Sequence, residues 1–277
     1  MNTPTATTEP AASTEPAQAR TVPFTRTLHA EWVKFRSLRS TWYTLACLFA
    51  VGLGITALSL SSAGSQYETT IAEQQPWDPT NLSLTAYIVA QLIIGVLGIL
   101  VVTSEYATGL IQTSVAATPR RHRLLAAKVM VATAVAAAAG QALMFGSFFV
   151  GQAMLASQDV PNASIGDPGV FSSVAGGGLY LSAIALLSVA LGTLLRATAG
   201  ALATLVGIVF LVPALAGLFP SWLQWLVDIW PSLGGAAILE TVPNPDYPHP
   251  WLNFGGMCLA VLAVLTAAFV VFRRRDV

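Results

Sequence analysis

Six stretches of the sequence, residues 41–60, 84–103, 129–156, 179–195, 199–218 and 252–272, contain no Asp, Glu, Lys or Arg. A helix needs about 20 mostly apolar residues to cross the hydrocarbon core of a bilayer, with a working range of roughly 17–25. Each stretch meets that requirement, and the third is long enough to tilt or to extend into water. Apolar runs of this length belong either in the core of a large soluble protein or in lipid. Composition decides between the two: 55% of the 277 residues are apolar and only 9% are charged, whereas a soluble domain carries about a quarter charged residues. A chain so poor in charge cannot cover a water-facing surface of its own size. Alternating segments of about ten residues, the mark of a membrane β-barrel, do not occur. The expected fold is an all-α polytopic membrane protein with six transmembrane helices.

The thirteen Lys and Arg residues test the number of spans. Arg20, Arg26, Lys34, Arg36 and Arg39 precede the first span. Arg120, Arg121, Arg123 and Lys128 lie between the second and third, Arg196 between the fourth and fifth, and Arg273, Arg274 and Arg275 after the sixth. All fall on one side of the membrane if six helices cross it, and a wrong span number would scatter them. The positive-inside rule makes that side cytoplasmic, with both termini inside. The opposite loops hold Glu68, Glu73, Asp78, Asp159, Asp167, Asp228, Glu240 and Asp246, and no cation.

Residues 1–25 read as a disordered cytoplasmic tail ahead of a six-helix domain, 26–277. The first twenty are rich in Thr, Pro, Ala and Glu and have little to bury. They lack the apolar core of a cleavable signal peptide. Cys47 and Cys258 fall inside predicted spans, where they read as small packing residues.

The segment 26–42, RTLHAEWVKFRSLRSTW, sets Leu28, Trp32 and Phe35 on one helical face and Lys34, Arg36 and Ser37 elsewhere. Two readings stand: an interfacial helix lying on the inner leaflet with its Trp at headgroup level, or the ordinary basic, aromatic flank of a membrane helix. Arg39 intrudes on the apolar face but lies near enough to the helix end to snorkel to water.

Between the second and third spans, SEYATGLIQTSVAATPRRHRLLAAKV interrupts two apolar runs. Gly109 offers a break, and Leu110–Ala117 is expected to form a short helix. Thr118 and Pro119 read as the N-cap and first-turn proline of the third span. A short cytoplasmic helix presenting Gln112, Thr113 and Ser114 suits docking into a groove on a partner. Glu105 either pairs with Arg120, Arg121, Arg123 or Lys128, or simply ends the span in water.

Ser104, Glu105 and Tyr106, then Gly109, then Pro119 with its Arg cluster, then Lys128 entering an Ala-rich helix, resemble the first cytoplasmic loop of type-2 exporter permeases of the ATP-binding cassette (ABC) class. In that family a basic amphipathic helix precedes the first span, as EWVKFRSLRSTW does here. The resemblance covers nearly the whole chain. It implies a dimer of six-helix subunits in a bacterial plasma membrane, homo- or heterodimeric. It also implies two cytoplasmic ATPase domains, which receive the loop helix as a coupling element. Glu105, Gly109, Leu110, Gln112, Thr113, Pro119, Arg120 and Arg121 are then the ATPase-coupling residues, and Trp32, Lys34, Phe35 and Arg36 belong to the interfacial helix. Similar exporters carry short re-entrant helices between spans 5 and 6. Here the segment 219–251 is too apolar for a free loop, with Trp222, Trp225 and Trp230 in an aromatic band. Pro231 and Gly234-Gly235 break it. Asp228 is either a polar contact near an exit or a solvent-facing residue.

The sequence contains no G-x-x-x-x-G-K-[ST] phosphate loop. No cofactor is therefore expected in this chain, and ATP and Mg belong to a separate ATPase. His29 and His122 lie in segments expected to be cytoplasmic, His249 lies in an outer loop and no G-x-S-x-G occurs, so an intramembrane hydrolase is not expected. Charge-free spans leave ion-coupled transport little to work with. Lipid, an ATPase and a second permease subunit are the expected partners, and nucleic acid is not. The alternative is a non-transporting membrane scaffold or regulatory subunit whose loop docks a cytoplasmic partner.

Overall fold

Breaks in the helices fall where the backbone leaves helical angles. The structure, a computed structural model, describes residues 23–117 and 121–274 and is all-helical, with no strand among those residues. Helix α1 (Phe24–Ser37) stops at Leu38, whose backbone is extended at φ −78° and ψ 119°, and α2 (Arg39–Leu60) starts at once. The Trp42 indole N–H donates to the Arg36 carbonyl at 3.0 Å and closes this elbow. Two short helices beyond the sequence expectation follow, α3 (Ala63–Ala72) and α4 (Pro79–Ser83). The latter has Pro79 in its first turn and Asp78 as N-cap, accepting from the Asn81 N–H at 2.9 Å.

Next come α5 (Tyr87–Ala107), α6 (Leu110–Ala117), α7 (Arg121–Ser157) and α8 (Val170–Leu195). The fifth crossing, Thr198–Leu218, is composite. It consists of α9 (Thr198–Val206), a π-helical turn Gly207–Leu211, α10 (Val212–Leu215) and a 3-10 turn Ala216–Leu218. After the short α11 (Gln224–Asp228), α12 (Pro250–Arg274) completes the chain. Six of these segments are long and apolar enough to cross a membrane; five contain a whole charge-free stretch, and α5 contains all of 84–103 but its first three residues. The chain is thus a multi-pass helical membrane protein.

Three boundaries differ from the sequence expectation. Helix α5 runs on through Glu105 to Ala107, and α8 begins nine residues before 179 because its first turns, VFSSVAGGG, are small and polar yet helical. Helix α7 has 37 residues, a length of about 55 Å, so it extends well beyond a hydrocarbon core of about 30 Å. The tail 1–22, the Thr118-Pro119 cap, Arg120 and Arg275 lie outside the described residues.

Helix α8 is the hub: 72% of its most apolar window is buried, against 17% for the fifth crossing and 22% for α2. It packs on α5, α7, α9 and α12. Lipid is as apolar as leucine, so helix association here rests on close van der Waals packing. A Cβ on Gly98 of α5 would lie 2.8 Å from the Ala185 carbonyl oxygen and 2.9 Å from the Ser188 Cβ of α8. Only glycine permits that approach. Polar ties supplement the packing: the Tyr180 hydroxyl donates to Gln91 Oε1 at 2.5 Å, and Thr198 Oγ1 to Thr103 Oγ1 at 2.9 Å. Each satisfies groups that lipid cannot.

Candidate functional site

The charged residues gather where α1, α5 and α7 meet. Thr27, Glu31 and Phe35 are buried on the inner face of α1, and Lys34 turns inward with them. Trp32, 44% exposed, points away. The stripe expected from Leu28, Trp32 and Phe35 is therefore split, because α1 packs on α7 and its charged pair faces charged partners there.

Those partners are Glu105 and Lys128. Glu105 Oε1 accepts from both Lys34 and Lys128, and Lys128 donates a second bond to Glu31 Oε2 at 2.8 Å. Lys128 and Glu105 have side-chain exposures of 2% and 3%, against 35% for Lys34. Two carboxylates and two ammonium groups thus neutralise one another, which is the condition for burying any of them. Of the cations expected for Glu105, Lys128 is realised. Lys34 and Glu31 were not foreseen as its network partners, although an acid three residues before a lysine in an otherwise basic helix was a readable signal.

Helix α6 hangs from the same junction. Gly109, with φ +71°, turns the chain after α5, a backbone state that glycine adopts readily. Ile111 anchors α6, buried with Leu125 of α7 and Phe272 of α12. Leu110, Gln112 and Thr113 remain exposed. Arg121 is half-buried in the first turn of α7. The Arg196 guanidinium, at the end of α8, lies 5.3 Å from the centre of the Tyr106 ring. These contacts bring the ends of α5, α7, α8 and α12 together with α6, and the Lys and Arg residues of the described chain lie in these ends, in α1 and, as Arg39, at the start of α2. A cavity of about 200 Å³ opens beside the network, between α1, α2, α5 and α7.

At the other end of the helices, Asp78 ties two loops together. Its carboxylate accepts from the Thr241 N–H at 2.7 Å, the Thr241 hydroxyl at 2.6 Å and the Val242 N–H at 3.0 Å, besides capping α4. Nearby, burial pushes the Glu240 carboxyl above its usual range; the Asn244 amide pulls it back and the Asp78 charge pushes it further up. The segment after the fifth crossing forms short helical turns, with Ala236 to Leu239 buried against α8 and α12 and Trp222 and Trp225 exposed. Asp228 is half-buried, and its carbonyl oxygen sits where a Cβ on Gly234 would be, 1.9 Å away. Trp230 donates its indole N–H to the Ile208 carbonyl at 2.6 Å, inside the π-helical turn of the fifth crossing.

Among the described residues no group of three or more His, Cys, Asp or Glu side chains could hold a metal ion. No protein-family model matches the chain, and no curated protein sequence matches it.

Proposed function

We propose that this chain is the membrane-spanning permease subunit of an ABC exporter, working as a dimer in a bacterial plasma membrane with both termini cytoplasmic. The observation that carries the reading is α6: a separate eight-residue helix, turned out by Gly109, anchored through Ile111 and exposing Leu110, Gln112 and Thr113. A short helix held at its base and free on its outer face suits insertion into a groove of a cytoplasmic ATPase. Its anchor touches α7 and α12, so a push on α6 is passed directly to two spans.

Glu105 takes a different part from a contact residue. It is buried and joins α5 to α1 and α7, so its role is to make α1 move with the junction. Gly109 supplies the turn, while Arg121 starts the third span close after the docking helix. On the outer side, the turns between the fifth crossing and α12 cap the path as re-entrant helices, and Trp230 links this cap to the π-helical turn. ATP and Mg are bound by the partner ATPase.

The test is co-expression with the ATPase encoded beside this chain, followed by purification in nanodiscs. Co-purification of the two, lost on Gln112→Arg with Thr113→Arg while the permease still inserts, is the expected result. If no ATPase associates, the chain is a scaffold and α6 docks something else.

A further inference from the structure

Packing stops abruptly halfway along the fifth crossing. From this we infer that residues 210–226 form a flap, hinged on the π-helical turn and latched by the hydrogen bond from the Trp230 indole to the Ile208 carbonyl. The inference uses the packing of the crossing and not the permease reading, so either can fail without the other.

The first half of the crossing is anchored. Ala201 and Leu205 of α9 are fully buried, and α9 packs on α5 and α8. Val209, at 1% exposure, is the last buried residue of the crossing. From Phe210 to Leu226 no residue is buried. Burial resumes at Val227. Just beyond it Ile229 closes on α12, where a Cβ on Gly256 would lie 2.4 Å from the Ile229 Cγ2, and Ala236 to Leu239 are buried in turn. The stretch between is thus held at its two ends and not along its length, the condition for opening apart from the rest of a fold. Leu211, Leu215, Leu218, Trp222 and Trp225 are its exposed large side chains. All are apolar, so lipid solvates the flap whether it is open or closed.

The hinge has a chemical cause. In the π-helical turn the Val212 N–H donates to the Gly207 carbonyl, five residues back. The next donor in that register is the N–H of residue 213, aimed at the Ile208 carbonyl, but residue 213 is proline and has no N–H. The Ile208 carbonyl is left without an intrahelical donor in a segment where lipid supplies none. The Trp230 indole N–H takes its place at 2.6 Å. This bond joins the last anchored turn before the flap to the anchored segment after it, and so closes the base. Breaking it orphans the carbonyl unless water enters. The closed form therefore predominates in a dry bilayer, and opening goes with hydration of Ile208.

Hydrogen exchange of the full chain in nanodiscs, read by mass spectrometry on peptides covering 206–218 and on α8 as a control, tests this. Trp230→Phe removes the donor and is expected to speed exchange in 206–218 about tenfold, the factor for one lost hydrogen bond of about 1.4 kcal/mol, with α8 unchanged. Pro213→Ala returns an N–H to the helix, which satisfies Ile208 from within. In that background Trp230→Phe should change the rate by less than about twofold, because the two positions then no longer share a partner. If Trp230→Phe does not fold, 3-benzothienylalanine at position 230, which keeps the shape of the indole without its N–H, gives the same comparison. Equal acceleration in both backgrounds, no acceleration in either, or faster exchange that spreads through α8 would overturn the latch.

Discussion

Removing Lys128 should damage this protein more than removing any other member of the ion network, and the structure sets the order. The network is neutral, with two carboxylates and two ammonium groups. Lys128→Ala leaves Glu31 and Glu105 buried, at 9% and 3% side-chain exposure, with only Lys34 to balance them. Breaking a buried pair by deleting one partner costs about 3–5 kcal/mol. Glu105→Gln costs less, about 1–3 kcal/mol, because Lys128 keeps Glu31 and Lys34 can turn to water. Lys34→Ala costs least, about 1 kcal/mol or below, since a third of that side chain is already solvated. Reversible unfolding of the full chain in mixed micelles, followed by circular dichroism, measures all three. In a double-mutant cycle, Glu31→Gln should recover part of the loss caused by Lys128→Met, because it removes the carboxylate left unpaired. Equal losses for Lys34→Ala and Lys128→Ala, or strict additivity in the cycle, would refute the claim that these charges are buried as a unit.

Other consequences are equally direct. Gly98→Val places a side chain against the Ala185 carbonyl, so α5 must move away from α8, at a cost of about 1–3 kcal/mol read in the same unfolding assay. Asp78→Ala leaves the Thr241 and Val242 N–H groups without their acceptor; a loss of about 2 kcal/mol, with faster amide exchange confined to α4 and residues 240–247, is expected. Because burial raises the Glu240 carboxyl in the folded protein, folding favours its protonated form. The charged form carries a penalty that is absent below the unfolded value and complete above the folded one. Stability relative to Glu240→Gln should therefore fall as the pH rises through the carboxylate range toward neutrality, and a pH-independent difference in unfolding midpoint would contradict this.

The six spans were legible because lipid forbids what water allows: any charge within a span would have been costly, so the charge-free runs marked the helices directly. Gly109 was equally readable, since a positive φ after an apolar helix calls for glycine, and α6 begins at the next residue. The network was less so. Glu31 and Lys128 are 97 positions apart and Lys34 and Glu105 are 71 apart, and no local periodicity encodes such a pairing. Amphipathic reasoning put Trp32 with Phe35 and sent Lys34 outward; burying Glu105 reversed that, because a buried carboxylate needs cations more than α1 needs a uniform apolar face. The short helices α3 and α4 escaped notice for a similar reason, as Asp78 is held by Thr241, 163 positions on.

Cross-linking tests the central claim, that α6 docks a cytoplasmic ATPase. With Cys47 and Cys258 replaced by serine, a cysteine is placed at exposed Thr113 and a second on the ATPase surface groove, in the complex purified in nanodiscs. The account predicts a cross-link whose yield changes when ATP is added, and none from a cysteine at Met130, exposed about two and a half helical turns into α7. Absence of any Thr113 cross-link from a complex that does assemble would contradict it.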